Sequence, residues 1–307
     1  MSNSKLPLIL QVSGGRTSHF LARFCQAHFP NRELHFLYEN TGKEVEGTLE
    51  FIDRCDKAFG WNVVWLEAVF YPDERKAPTH KVVNFETASR NGEPYERLIE
   101  KYGIQNMAYK DCTKYLKLLP KKSYLRSMGL LDYPTFTRLS ESTRPKDKVK
   151  LAQFRGTYET AIGIRDDEKH RINRAVAAKE NNIYPLVDLI KVNKQFILNW
   201  WSRQPFDLEI DEDFGNCDFC FKKTINQLVR QVQKQPEKLN WWEEMEERHG
   251  SVKAPLEPRK IFRDHTSAKE LRELAKLPIQ QICDHSDSED VRPGDDRQLE
   301  RFEPALF

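Results

Sequence analysis

The chain has 307 residues, 39% of them hydrophobic and 31% charged, and its 49 basic and 47 acidic residues leave a net charge of +2. That length fits one large α/β domain with an appendage, or two modest domains, and no apolar run approaches the roughly 18 residues that span a bilayer. The near-balanced charge neither demands a nucleic-acid partner nor excludes one.

Residues 6–12 (LPLILQV) form a continuous apolar run, which predicts a strand buried on both faces of a parallel sheet. The run meets a Gly loop directly and lacks a signal-peptide cleavage pattern, so a cytoplasmic protein with no membrane partner is expected. SGGRTSHFLARFC then reads as a turn and a helix, 34–39 (LHFLYE) as a second strand, Thr48 to Ala58 as a helix and 62–67 (NVVWLE) as a third strand. This alternation predicts an α/β fold with a doubly wound, mainly parallel sheet. Residues 70–93, with Pro72, Pro78 and Gly92, read as a long loop of the lid kind. Helical patterns resume at 94–101 and 114–128, while 133–150 read as a flexible loop rich in Pro, Ser, Thr and charge. TAIGI (160–164) reads as a strand, 193–203 as an amphipathic helix with Trp200 and Trp201, and the chain beyond Cys220 as mostly helical. Residues 284–307 are acidic and Pro-containing, the composition of a partly disordered tail. The organisation expected is a nucleotide-binding α/β domain over 1–215 and a cysteine-containing, mostly helical region over 216–307, with an acidic tail.

Ser13-Gly14-Gly15-Arg16-Thr17-Ser18 lies between a buried strand and a helix. Glycines there let the backbone approach a phosphate, and helix N-terminal N–H groups with hydroxyls bind the anion. Taken alone, the six residues fit an ordinary strand–helix turn equally well. Six cysteines stand at 25, 55, 112, 217, 220 and 283. Cys25 and Cys55 fall on apolar helix faces and read as buried core thiols. Cys217-x-x-Cys220 is compatible with zinc, an Fe–S cluster or a redox dithiol, with Cys112 the best third ligand. Phe219 and Phe221 bracket Cys220 and would dry its surroundings, or simply pack the core.

The SGGRTS loop resembles the SGGxDS loop of the PP-loop ATP pyrophosphatases and, more closely, its variant in the phosphoadenosine phosphosulfate (PAPS) reductase family, particularly the phage and prophage type. Glu39-Asn40-Thr41-Gly42-Lys43-Glu44, Cys112-Thr113 with Leu116-Lys117 and Pro120, Gly163-Ile164-Arg165 with Glu168 and Arg171, Tyr184-Pro185-Leu186 and Gly215-Asn216-Cys217-Asp218-Phe219-Cys220 also look like that type. The matches run in order over roughly 8–225.

The resemblance implies that Ser13, Gly14, Gly15, Arg16, Thr17 and Ser18 hold phosphate or sulfate, and that Asn40, Thr41 and Gly42 lie near the adenosine. Arg165 and Arg171 look like paired arginines that clamp the nucleotide's anionic end; read without the family, they are surface partners of Asp166, Asp167 or Glu168. Thr17 stands where the pyrophosphatases usually carry Asp, which bears on Mg2+ and α–β phosphate cleavage. The cluster-bearing reductases join a Cys-Cys pair to a later CxxC around [4Fe-4S]. Here the pair reads Asp111-Cys112, so Cys283 completes the set or one iron stays open, with zinc the alternative metal.

A sulfonucleotide reductase needs a mobile nucleophilic cysteine in a Glu-Cys-Gly-x-His setting, whereas Cys283 sits in Gln281-Ile282-Cys283-Asp284-His285. The reading preferred over PAPS or APS reduction is ATP-driven adenylation of a substrate followed by sulfur transfer, with nucleic acid one candidate acceptor. Lys114, Lys117, Lys121 and Lys122 would meet its phosphates, or form a solvated helix face. The other class is a non-catalytic nucleotide sensor or assembly subunit with a structural metal. For it, Asn240-Trp241-Trp242-Glu243-Glu244 would dock a protein partner or a second copy, or pack on the domain.

Overall fold

The computed structural model describes residues 6–277 apart from Glu212. Its strands are β1 (Leu8–Gln11), β2 (Leu34–Asn40), β3 (Val64–Val69), β4 (Thr79–Val83), β5 (Leu130–Leu131), β6 (Gly156–Thr157), β7 (Glu159–Ala161) and β8 (Asn182–Ile183). Six of them form one sheet in the order β4-β3-β2-β1-β7-β8, while β5 and β6 pair separately. Every pairing in the large sheet is parallel except β3 with the edge strand β4. The fold is the α/β arrangement expected. β1 lies centrally because Leu8, Ile9, Leu10 and Val12 have almost no polar atoms to solvate and are fully buried.

The α-helices are α1 (Arg16–His28), α2 (Glu46–Phe59), α3 (Glu93–Tyr102), α4 (Leu119–Ser127), α5 (Tyr133–Ser140), α6 (Pro145–Leu151), α7 (Arg174–Glu180), α8 (Pro185–Asp188), α9 (Lys194–Trp201), α10 (Ile225–Lys234), α11 (Leu239–His249) and α12 (Ala268–Leu274). One sheet face carries α1, α2 and α9, where Phe20 meets Trp200 at 5.2 Å between ring centroids and Phe51 meets Trp201 at 4.9 Å. The opposite face packs Ile9 and Leu37 on Leu125 of α4 with Leu130 and Tyr158. Strand alternation makes this division: Leu8, Leu10, Phe36 and Tyr38 belong to the first core.

A second core gathers Tyr95, Leu98 and Leu116 with Phe219, Phe221, Leu228, Trp242 and Leu271. It therefore draws on both sides of residue 215: α11 rests on α3, and α12 packs on α10 and α11.

Three local expectations need correction. The 70–93 stretch contains β4, whose Thr79 to Val83 pair with Val69 to Trp65; an edge strand needs only one good partner, so its apolar pattern is weak. The 133–150 stretch is not a loop but α5 and α6, started by Pro134 behind the Asp132 cap and by Pro145. The 114–128 helix divides into a π-helix, Thr113–Leu118, and α4. Pro120 has no N–H to donate to the carbonyl four residues back, and a wider turn relieves that clash.

Candidate functional site

Going outward from β1, the chain passes to β2, β3 and β4 on one side and returns to β7 and β8 on the other. The carboxyl ends of β1 and β7 consequently diverge, and an open α/β sheet binds ligands at such a switch point. The 13–18 loop leaves β1 there, and 163–165 leave β7 beside it: Gly163 approaches Ser18 Cα and Thr17 Cγ2, each 3.7 Å from a Cβ built on it.

Gly14 adopts φ +82°, and a Cβ on it would stand 2.1 Å from Thr48 Cγ2. Only glycine lets the loop turn this close to α2. Gly15 is the N-cap of α1, so the first-turn N–H groups open onto the crevice. Ser18 Oγ accepts from Ser13 N at 3.1 Å and donates to Gly15 O at 2.9 Å. The buried His19 contacts the same carbonyl through Nδ1 at 3.1 Å. Burial pushes the His19 imidazole down to about 4, against the opposing pull of Gly15. It is neutral near pH 7, and the carbonyl acceptor puts its proton on Nδ1.

Arg16 does not face the crevice freely: its guanidinium donates to Asp207 Oδ1 at 2.7 Å and to Leu208 O at 3.0 Å. Arg165 Nη1 reaches Thr17 Oγ1 at 3.4 Å while Nη2 pairs with Asp167 at 3.0 Å and Glu168 at 3.4 Å. Arg16, Thr17, Arg165 and Lys194 line a cavity of about 160 Å³. Whole-ligand pockets run from roughly 300 Å³ upward, so this volume suits a phosphate-sized group. Arg171 is not brought to it; that side chain is exposed and pairs with Glu168. The surface reading thus holds for Arg171, and Arg165 serves both the acidic turn and the loop.

Asn40, Thr41 and Gly42 follow β2, but their polar atoms are committed within the chain. Asn40 Nδ2 donates to Glu67 Oε1 at 2.7 Å and to Ser89 O at 2.9 Å, and Thr41 Oγ1 donates to Glu44 at 2.9 Å. Gly42, at φ +79°, lies against Gly92 and Pro94.

The 215–220 segment is stitched onto both loops. Asn216 Nδ2 donates to Ser13 O at 2.6 Å, Val45 N to Asn216 O at 3.0 Å and Asp218 N to Lys43 O at 2.8 Å. Glu44 and Cys217 form an isolated antiparallel bridge, with Cys217 Sγ 3.7 Å from Glu44 Oε1. Lys43 Nζ lies 3.1 Å from Asp218 Oδ2, both side chains buried, and 4.5 Å from the Trp241 ring centroid. Trp242 Nε1 donates to Asp218 Oδ1 at 3.2 Å. Within the 240–244 stretch Trp242 is therefore internal and Trp241 half-buried, while Asn240 and Glu244 are exposed.

Cys112 caps the π-helix from the other side. Burial raises its thiol, with Lys222 opposing and Cys220 adding. Burial also pushes the Cys217 thiol well above its ordinary range, with Glu44 adding and Lys117 and Cys220 acting after it. The three thiols thus share one electrostatic neighbourhood, which includes Lys117 and the buried Tyr95. They do not form a single-ion donor set. Among the described residues, the group of three or more His, Cys, Asp and Glu donors mutually within 4.8 Å is Glu96, Glu100 and His249. Tetrahedral zinc at 2.3 Å from each sulfur would hold thiolates about 3.8 Å apart. Cys25 and Cys55 are fully buried in the first core, as read from their helix faces. Cys283, with Asp284, His285 and the 284–307 tail, lies outside the described residues.

Sequence reasoning missed the inward lysines. Lys121 is buried and donates to Gln11 Oε1 at 2.8 Å, and Gln11 Nε2 donates in turn to the buried Glu39 at 3.0 Å. Lys117 lies 3.9 Å from Glu44. Lys121 cannot belong to an open basic face; Lys117 and Lys122 are half-buried and Lys114 is exposed. Gln11 and Glu39, at the polar ends of two buried strands, were the signal that a cation had to meet them.

No family model matches the chain, and no solved structure matches it. It is 29% identical over 225 residues to the "uncharacterized nin region protein ORF290" of Escherichia phage lambda. That alignment covers 72% of this chain and 67% of the phage protein. The likeness to the PAPS reductase family accordingly rests on the residues quoted above. No described helix is long and apolar enough to cross a membrane.

Proposed function

We propose that the protein is an adenine-nucleotide-dependent enzyme of sulfur chemistry, adenylating an acceptor with ATP and replacing the adenylated oxygen by sulfur. The observation that carries this reading is the 2.6 Å bond from Asn216 to Ser13. It couples the residue before Cys217 directly to the loop that has the form of a phosphate cradle.

The anionic end of the nucleotide would rest on the α1 N-terminus and the Ser13 and Ser18 hydroxyls, with Arg165 and Lys194 across the crevice. An acceptor oxygen attacks the α-phosphorus and pyrophosphate departs; a sulfur nucleophile then attacks the acceptor carbon and AMP leaves. The chain's part is to position the groups and stabilise charge. Mg2+ would travel with the triphosphate, because Thr17 offers no carboxylate.

Cys112, Cys217 and Cys220 would hold the iron–sulfur cluster, with zinc the alternative metal for the same thiolates. Held by these three thiolates alone, such a cluster would be able to bind a sulfur species. The buried Phe219 and Phe221 limit water there.

The test is iron and acid-labile sulfide analysis of anaerobically purified protein, with pyrophosphate release from ATP in the presence of candidate acceptors. About four iron and four sulfide per chain, with pyrophosphate release, are expected. One zinc without sulfide would overturn the cluster. Tight ATP binding without pyrophosphate release would favour the second reading, a nucleotide sensor, which Thr17 in place of Asp supports.

A further inference from the structure

Helices α5 and α6 present a surface that no sequence motif announced. Between Tyr133 and Arg155 stand six basic residues, Arg138, Arg144, Lys146, Lys148, Lys150 and Arg155, against Glu141 and Asp147. The chain as a whole carries only +2, so positive charge is concentrated here. Asp147 is turned inward, where it accepts from Ser142 at 2.7 Å and from Arg144 at 2.8 Å. Lys146, Lys148 and Lys150 of α6 are exposed and make no ion pair among the described residues, and Lys179 of α7 is likewise unpaired. A surface built only for stability interleaves its charges; this one leaves its cations open.

Beside these lysines lies a hollow whose own cations are Arg138, Arg144 and Lys179. A cavity of about 510 Å³ lies between α5, the 141–144 link into α6, and α7, lined by Tyr133, Arg138, Arg144 and Lys179, with Glu141 the one acid in its lining. An aromatic ring beside several cations is how proteins hold single-stranded nucleic acid: a base stacks on the ring while phosphates meet the charges. An acidic peptide would use the charges but has no general use for the ring. The 165–171 turn leads into α7, so the chain runs directly from Arg165 at the phosphate crevice to Lys179 at this hollow, although Lys169 and Arg171 on the way are paired with Asp166 and Glu168.

We infer that the α5–α6–α7 surface binds single-stranded nucleic acid, with Tyr133 as the stacking platform and Lys146, Lys148, Lys150 and Lys179 on the phosphates. As the docking site of the acceptor, this inference rests on the proposed function; as a binding site, it is tested separately from it. The experiment is fluorescence anisotropy with labelled single-stranded DNA and RNA 20-mers across a salt series, on the full chain. Lys146→Gln/Lys148→Gln/Lys150→Gln should reduce the slope of log affinity against log salt by about two, at roughly 0.7 per phosphate contact. Tyr133→Ala should weaken binding at least about fivefold at all salts, the loss of one base–aromatic stack.

Both variants must keep the wild-type melting temperature, iron content and ATP affinity, because none of these residues belongs to the crevice or the thiol neighbourhood. Wild-type binding that is absent, that survives the triple substitution within twofold, or that polyaspartate displaces as well as the oligonucleotide does would overturn the inference. Failure of binding with iron and ATP retained would leave the proposed function standing. Binding without iron or ATP would remove the function and leave the surface.

Discussion

Replacing Lys43 by Met tests whether a buried ion pair clamps the cysteine segment to the 40–44 loop. The ammonium lies 3.1 Å from Asp218 Oδ2, and both side chains are only 7% exposed. Met keeps most of the volume and leaves the Asp218 carboxylate with Trp242 Nε1, at 3.2 Å, as its remaining side-chain donor. Removing one partner of a buried pair costs about 3–5 kcal/mol. There is a ceiling. Asp218, already pushed up by burial, can protonate, and neutralising an ordinary Asp at pH 7 costs about 4 kcal/mol. Lys43→Met should therefore lower unfolding free energy by about 3–4 kcal/mol. Asp218→Asn leaves the ammonium over the faces of Trp241 and Trp242, at 4.5 and 5.7 Å from their centroids. That environment offsets part of the loss, and about 2 kcal/mol is expected. The double variant buries no net charge, so its loss should fall short of the sum by at least about 1.5 kcal/mol. Urea denaturation of all four proteins at pH 7 gives the cycle. A coupling within about 0.5 kcal/mol of zero would refute the clamp.

Gly14→Ala forces a Cβ to 2.1 Å from the buried Thr48 Cγ2 at φ +82°; αL strain and overpacking together predict a loss of about 2–5 kcal/mol in urea. Gly15→Ala, with nothing nearer than 3.8 Å to its Cβ, should stay within about 1 kcal/mol of wild type. Arg165→Gln should weaken ATP binding tenfold or more by calorimetry, on the order of one charge-assisted contact, whereas Arg171→Gln, remote from the 160 Å³ cavity, should change it less than about twofold. Equal effects of the two would contradict the geometry. Glu270 is held down at about 2 by the Ser267 N–H, the Lys260 ammonium and the Ser267 hydroxyl. A depressed acid stabilises the fold above its unfolded value near 4.5, and that contribution is lost as pH falls toward 2. Thermal melts of Glu270→Gln should accordingly show a smaller drop between pH 5 and pH 2.5 than wild type.

Local sequence determined the central strands, because Leu8 to Leu10 and Phe36 to Tyr38 have no favourable place except a buried sheet. It also determined the loop at 13–18, since a strand followed by two glycines and a helix start has few other geometries. Cys112 and the Cys217–Cys220 pair were legible as one candidate site through spacing and resemblance. Tertiary structure alone decided which charges face which way. Lys117 and Lys121 share one helical run with Lys114 and Lys122, and only the Gln11–Glu39 pair draws Lys121 inward while Glu44 faces Lys117. Arg165 and Arg171 look equivalent in a row of charges, yet the path of β7 brings one to Thr17 and leaves the other at the surface. The stitching of Asn216 to Ser13 spans 203 residues. No local propensity encodes such a contact, because it forms only when two cores assembled from distant segments pack around the same sheet edge.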